Sequence, residues 1–464
     1  MKQTKTSYSI YAWLLIYFIL VGLILNNTVP YETDESFYIT SSINMVKSHN
    51  YLLPTYFGEV RFQKPILPYW IVVLSYKLFG IHLWSSRVLF LVIACLTLFT
   101  LYKFALLIIP HQEFAILTVL LLSSSSIFIE YSRLAMTDLV LTFFTTLSLY
   151  YFYKTLVQPE GLKINYFLGY TAMGLAFLSK GFVVGIFPLF AMLFYLIYLK
   201  PENYKKYLIY LIHPINLSAF MLIAFPWYLY AYTYHYRELF EQIKTESSAV
   251  SLLSDLESTI ENMAYYFRVI VYYLPVTVVA AYIYLKKRTV FPKEFTLFLP
   301  YIGAVLGAFI FFVERHRARY LLVLFPLLAI LSAYLFYKNG LASTLKKIAI
   351  GLFCLHLTLF LLYSYFSGEP IKKLVLYWKN LQQGDLAVYG LDRYTTSWAQ
   401  AFSEGQLKEY DKEVEYIILL KKDLDAFKNY EILQQAKLLR KIKFKNYRPI
   451  KDEREYVLIK RISG

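Results

Sequence analysis

Cysteine is nearly absent from this 464-residue chain: Cys95 and Cys354 are the two, and both lie inside apolar runs. That excludes a disulfide-stapled scaffold, and a small hydrophobic role suits both thiols. Charge is scarce as well, because Asp, Glu, Lys and Arg make up 17% of residues against 58% hydrophobic ones. Such a balance excludes a disordered chain and an ordinary water-soluble one. There is no Gly-rich phosphate loop, no nucleophile elbow, and neither His82 nor His316 has a partner at zinc-ligand spacing. No internal repeat, Gly/Ser linker or low-complexity tract stands out. Acids are outnumbered 31 to 47 by Lys and Arg, for a net charge of +16. The basic residues are spread over loops and form no stripe, which argues against a nucleic-acid binder.

What the chain does have is long apolar stretches that approach the roughly 20 residues needed to cross a bilayer. They fall near 10–29, 84–108, 114–131, 138–157, 166–180, 183–199, 207–228, 266–285, 295–313, 320–337 and 348–366. The hydropathy therefore predicts an α-helical polytopic membrane protein of about eleven spans. Lys180 and Gly181 split one long run, so residues 166–199 read as one span or two. The aromatics, 46 Tyr and 37 Phe, suit lipid-facing spans and interfacial belts.

Sidedness follows from the basic clusters. Lys200, Lys205 and Lys206, then Lys286, Lys287, Arg288 and Lys293, then Lys338, Lys346 and Lys347 fall on one side in the eleven-span count, which the positive-inside rule makes cytoplasmic. The first run is followed by Asn26, Asn27 and Thr28 and not by a small-residue cleavage site, so it reads as an uncleaved span with a cytoplasmic N-terminus. The protein is then expected in the inner (plasma) membrane, with residues 1–366 as the transmembrane domain. GEP at 368–370 marks a boundary, and residues 367–464 are expected as a small α/β domain on the outer, periplasmic or extracytoplasmic face. This tail carries 19 Lys and Arg against 14 Asp and Glu. Its runs 386–391, 414–420 and 456–462 read as strands, and 423–436 reads as a helix with Asp423 as N-cap.

Polar residues concentrate in the turns on that outer side. The long segment Pro30 to Leu83 holds Asp34, Glu35, Glu59, Arg61 and Lys64, and Tyr69, Trp70, Ile71, Leu74 and Leu78 can share one helical face away from Ser75 and Lys77. That pattern favours amphipathic interfacial helices. Glu59 and Arg61 read as a surface pair. Later outer turns carry Arg133 and Asp138, then Lys180, then Glu314, Arg315, His316, Arg317, Arg319 and Tyr320. Charge at membrane depth is costly and faces a cavity, a partner or a substrate. Asp34, Lys64, Arg133, Asp138, Lys180 and Arg319 are thus expected to share one depth. Two carboxylates and a ring of cations beside a bilayer suit a lipid phosphate, with Lys and Arg as charge-assisted donors and a carboxylate as base toward an acceptor hydroxyl.

At these residues the sequence resembles the integral-membrane C-type glycosyltransferases of the protein O-mannosyltransferase and lipid A aminoarabinose transferase kind. The motifs are TDESFY (33–38), QKPILPYW (63–70), SRLAMTD (132–138), GLAFLSKG (174–181) and RARYLLVLFP (317–326), in that order over about the first 330 residues. The resemblance implies a helical bundle with interfacial helices in the first outer loop, and transfer of a hexosyl or pentosyl group from a polyprenyl-phosphate carrier to an outer-face acceptor such as lipid A, a glycan or a protein. It implies Asp34 and Asp138 as catalytic carboxylates. Lys64 and Arg319 would bind the donor phosphate, with Tyr38, Arg133, Lys180 and Tyr320 lining the cavity and Glu35 as a metal contact. Gln63 stands where the aminoarabinose transferases usually have Glu, which argues against a bound metal and against the aminoarabinose assignment in particular, while the acids themselves are compatible with a divalent metal or with none.

Plainer roles compete for the same residues. Asp34 and Glu35 suit the first turn of a helix, and Lys64 and Lys180 suit snorkelling to headgroups. A lipid or glycolipid flippase is the alternative function, and it would place ionisable groups near the centres of several spans.

Overall fold

The computed structural model describes residues 4–26, 33–181, 185–247, 256–312, 317–367, 370–382, 384–411, 413–437, 443–445, 448–450 and 454–462. Glu314, Arg315 and His316, the end of the first apolar run, and Gly368 and Glu369 of the expected boundary lie outside the described residues. The chain divides into two compact units: Met1–Gly22, Arg61–Pro68 and Phe90–Leu357 in one, and Leu23–Val60, Tyr69–Leu89 and Thr358–Gly464 in the other.

The first unit is helical. Among the described residues each apolar run of the sequence lies mostly on helix, but not every helix is a straight span. Among the described residues five helices are long and apolar enough to cross a membrane, or seven if each of two bent pairs counts as one. The expected eleven is therefore not what length and composition yield. Two local causes are visible. Gln112–Ser123 and Ser126–Ser132 meet at 74°, where Ser123 and Ser124 donate their hydroxyls to Leu120 and Leu121 carbonyls at 3.1 and 2.8 Å, a competition that bends helices. Ser258–Tyr273 and Val276–Lys287 meet at 100° around Pro275, which has no N–H to continue the ladder.

Residues 166–199 form two helices, Leu162–Lys180 and Phe187–Leu199. The break is Gly181, at φ 100° and ψ −165°, a backbone region open essentially to glycine alone. The chain then returns, with Gly185 against Phe177. Helix Leu162–Lys180 packs along Thr137–Val157, and the two approach closely at Gly169, where a Cβ would lie 2.6 Å from the Phe152 ring. A 3₁₀ turn, Ala318–Leu324, runs into Phe325–Lys338. These three junctions hold Lys180, Asp138 and Arg319.

The second unit contains helix Thr33–Ser48, with Asp34 and Glu35 in its first turn and Lys47 in its last, as the helix dipole favours. Helix Leu67–Phe79 forms where interfacial helices were expected. Trp70 and Ile71 are partly exposed and Leu74 and Leu78 are 52% and 61% exposed, but Tyr69 and Ser75 turn inward with Val72 and Val73. The tail carries a four-stranded sheet in the order Leu386–Val388, Tyr416–Leu420, Glu455–Arg461, Tyr430–Lys437. The first pair is parallel and the others antiparallel, around a core of Ala387, Val414, Ile417, Leu419, Val457 and Ile459. The helix expected over 423–436 is corrected: Lys421–Ala426 is a 3₁₀ turn containing Asp423, and Tyr430–Lys437 pairs with Glu455–Arg461 across a register shift at Ile432 and Gln434. Backbone pairing to a buried strand outweighs the helix preference of ILQQAK.

Candidate active site

Asp138 is in the first turn of Thr137–Val157, 2% exposed. Its carboxylate receives Lys180 Nζ on Oδ1, and Arg319 Nε lies 3.6 Å from Oδ2. Thr137 Oγ1 donates to Oδ2 at 3.5 Å. Lys180 sits 4.5 Å from the centroid of the Tyr320 ring and the Arg319 guanidinium 5.9 Å from it, both within cation–π reach. Tyr320 is in turn stacked on Phe309 at 5.1 Å. The structure thus brings together Asp138, Lys180, Arg319 and Tyr320, which are 182 positions apart at the extremes of the chain segment. Lys64 is near enough for its charge to act on Lys180, as does that of Arg319. Three cations and one carboxylate leave an excess of positive charge, which suits an anionic ligand.

Lys64 is half-buried on the strap Arg61–Pro68. The strap is pinned by Phe62, whose N–H donates to Gln242 Oε1 at 2.6 Å and whose ring meets Trp227 and His235, both at 5.7 Å. Arg61 donates to Gln63 at 2.6 Å, while Glu59 takes both nitrogens of Arg393 at 3.0 Å. The expected Glu59–Arg61 pair is therefore corrected, because each has a better-oriented partner. Arg133 is buried at the C-cap of Ser126–Ser132.

In the second unit Glu35 is 1% exposed and Arg87 fully buried. Arg87 Nε and Nη2 donate to the two Glu35 oxygens at 2.7 and 2.6 Å, and Nη1 donates to the Leu25 carbonyl at 2.7 Å. This corrects the reading of Glu35 as a metal contact: a bidentate guanidinium occupies both oxygens. Among the described residues no group of three or more His, Cys, Asp or Glu could hold a metal ion, so no step is routed through one. Tyr38, expected to line the cavity, is 1% exposed and packed on Tyr69 at 5.1 Å, a core position. Asp34 is half-buried beside Glu35. Arg87 was missed by sequence reasoning, although a lone Arg in LWSSRVLFL was a signal that a buried acid awaited it.

Residues 63–230 match the dolichyl-phosphate-mannose-protein mannosyltransferase family, a stretch that includes Lys64, Asp138 and Lys180. The chain resembles the integral-membrane C-type glycosyltransferases. An uncharacterized protein of Aquifex aeolicus is 36% identical over 228 residues, covering 49% of this chain and 44% of its own length. The undecaprenyl phosphate-alpha-4-amino-4-deoxy-L-arabinose arabinosyl transferase 1 of Proteus mirabilis is 28% identical over 228 residues, 47% of this chain and 40% of its own length. Each match takes in less than half of the relative. ArnT from Cupriavidus metallidurans, crystallised with undecaprenyl phosphate, superposes with a TM-score of 0.74 over 98% of both chains at 14% identity. At that identity the likeness is one of fold.

Proposed function

We propose that this chain is a membrane glycosyltransferase that moves a hexosyl or pentosyl group from a polyprenyl-phosphate carrier to a hydroxyl of an acceptor (lipid A, a glycan or a protein) at the outer face of the inner membrane. The observation that carries the reading is the buried cluster of Asp138, Lys180 and Arg319 beneath the Tyr320 ring, with Lys64 close by. Lys64, Lys180 and Arg319 would hold the donor phosphate. Asp138 is paired with two of these cations, and a carboxylate so engaged is a poor base; its role is to fix their positions. By resemblance to the C-type glycosyltransferases, Asp34 would be the carboxylate that takes the acceptor proton. The acceptor oxygen attacks the anomeric carbon, the bond from that carbon to the phosphate oxygen breaks, and the departing phosphate monoester keeps the electron pair against the cations, so the anomeric centre inverts.

A place for the donor tail is also available. The first unit has an apolar groove of about 620 Å³ between Phe187–Leu199 and Phe298–Phe311, lined by Phe190, Phe194, Tyr198, Leu299 and Ala304 among others. The basic clusters at Lys200–Lys206, Lys286–Lys293 and Lys338–Lys347 support a cytoplasmic side for those turns by the positive-inside rule, and the reading takes the C-terminal segment to lie on the outer side. Charges at helix ends, rather than at mid-span, favour an enzyme over a flippase.

The test is mass spectrometry of lipids from cells making the wild-type chain or Asp34→Asn. A polyprenyl-phosphate sugar is expected to accumulate only with the variant and to report the sugar's mass. Sugar transfer at the wild-type rate by folded, purified Asp34→Asn would overturn the assignment.

A further inference from the structure

The second unit contains a cavity of about 390 Å³ that the chemistry above does not use. We infer that it binds one or two units of a neutral saccharide, and thereby positions the acceptor glycan; only the word acceptor rests on the transferase reading. A volume of this size falls in the range of small-molecule sites.

Its floor is helix Thr33–Ser48, which presents Thr40, Asn44 and Lys47 at helical spacing. The same helix carries Asp34 six residues before Thr40, about 9 Å of helical rise. Thr40 is 4% exposed, and among the described residues its hydroxyl has no hydrogen-bond partner. Helical threonines ordinarily return that hydroxyl to a carbonyl one turn back, and buried polar atoms are nearly always paired. An orphan hydroxyl on a cavity wall awaits a ligand's polar group.

Two aromatic rings are offered at the rim. Phe57 sits at the tip of the hairpin Thr55–Tyr56 and Glu59–Val60, 39% exposed, with φ +50°. A bulky side chain in the left-handed region carries strain, and such residues concentrate at ligand clamps. Tyr410, 40% exposed, stands edge-on to Tyr389 at 4.9 Å. Partly exposed rings, with amides and hydroxyls between them, match a sugar's C–H face and its ring of hydroxyls, and Phe57 already has the Arg393 guanidinium 5.9 Å from its ring centroid. Gln400 and Thr396 supply further such groups.

The charged residues point to a neutral ligand. Lys47 donates to the Gly405 carbonyl, and Lys408 to Asp385 at 2.6 Å. With both lysines engaged and Glu409 on the wall, an anionic group gains little.

Saturation-transfer NMR on the full chain in detergent tests this, with the methyl glycosides of galactose, mannose and N-acetylglucosamine as probes. At least one probe should receive saturation at its ring protons, and its Kd should rise about tenfold in Gln400→Ala and in Tyr410→Ala, the loss of a good polar or stacking contact. Thr40→Val keeps the shape and removes the orphan hydroxyl, so its Kd should rise while its melting temperature holds or increases. Absence of saturation for all three glycosides, or equal affinity in the folded Gln400 and Tyr410 variants, would overturn the inference. Binding with these variant effects but no sugar transfer would leave the pocket and remove the transferase reading. Transfer with an unchanged acceptor KM in Gln400→Ala, and no glycoside binding, would do the reverse.

Discussion

At Asp138 a carboxylate 2% exposed to solvent faces Lys180, itself 16% exposed, and Arg319, 6% exposed. Burying charges is costly, and breaking such a pair by removing one partner leaves the rest uncompensated, at about 3–5 kcal/mol. Asp138→Asn is therefore expected to lower thermal stability markedly, and adding Lys180→Met should restore part of it without restoring transfer. Melting temperatures of the single and double variants read this; equal stability of Asp138→Asn and wild type would sink it. Asp34 and Glu35 make a sharper contrast. Glu35→Gln removes the bidentate partner of buried Arg87, so it should reduce the yield of folded protein, while kcat per folded molecule stays within a few-fold of wild type. Asp34→Asn should do the opposite. The sequence showed both acids and could not separate them, because the guanidinium that binds both Glu35 oxygens comes from Arg87, on a helix whose placement the sequence does not reveal. The grouping of Asp138, Lys180 and Arg319 was legible, since each lies at the end of an apolar run on one side of the hydropathy plot. Tyr38 was not, because an aromatic beside an acid gives no sign of which way its ring turns.

Helices were the most legible elements, for an apolar run of this length has few other ways to satisfy its backbone in a bilayer. Their bends were less so: the serine run at 123–126 and Pro275 are plain in the sequence, yet whether each kinks or ends a span depends on neighbouring helices. Tyr430–Lys437 was misread because its strand character comes from Glu455–Arg461, about twenty residues away. Gly181 is the element-scale feature with the clearest consequence. It ends Leu162–Lys180 with its N–H on the Phe177 carbonyl at 2.8 Å, and its φ of 100° and ψ of −165° lie where a Cβ is strained. Gly181→Ala is expected to cost about 1–3 kcal/mol and to shift Lys180, the residue before it. A fall in melting temperature together with weaker binding of a polyprenyl phosphate would support this. A variant that loses neither would show that the turn relaxes without moving Lys180.

Over the whole molecule, net positive charge sits mostly in the membrane part, while the C-terminal segment is closer to balance and holds its acids in local pairs. Burial alone would raise the Glu404 carboxyl, but Lys379 and His82, each at 2.8 Å, outweigh it and hold it below the usual carboxylate range. Asp392 follows the same pattern. Burial opposes its charge, and the Thr395 N–H at 3.0 Å, the Thr395 hydroxyl at 2.8 Å and Arg454 at 3.3 Å prevail, again lowering it. In both cases the folded state binds a proton less readily than the unfolded chain, whose carboxyls titrate near pH 4. Their stabilising contribution is complete above that value and is lost as the pH falls through the lower folded values. The second unit, which includes Glu404 and Asp392, should therefore lose stability on acidification from about pH 5 toward pH 3. Asp392→Asn and Glu404→Gln together should flatten that dependence, because neither replacement titrates. Hydrogen exchange followed in the strands Tyr416–Leu420 and Glu455–Arg461 at several pH values reads the unit directly. Protection that falls equally steeply in the double variant would mean that other acids govern the response. Both pairs are partly exposed, so raising the salt concentration should weaken the wild-type slope in the same direction as the substitutions do.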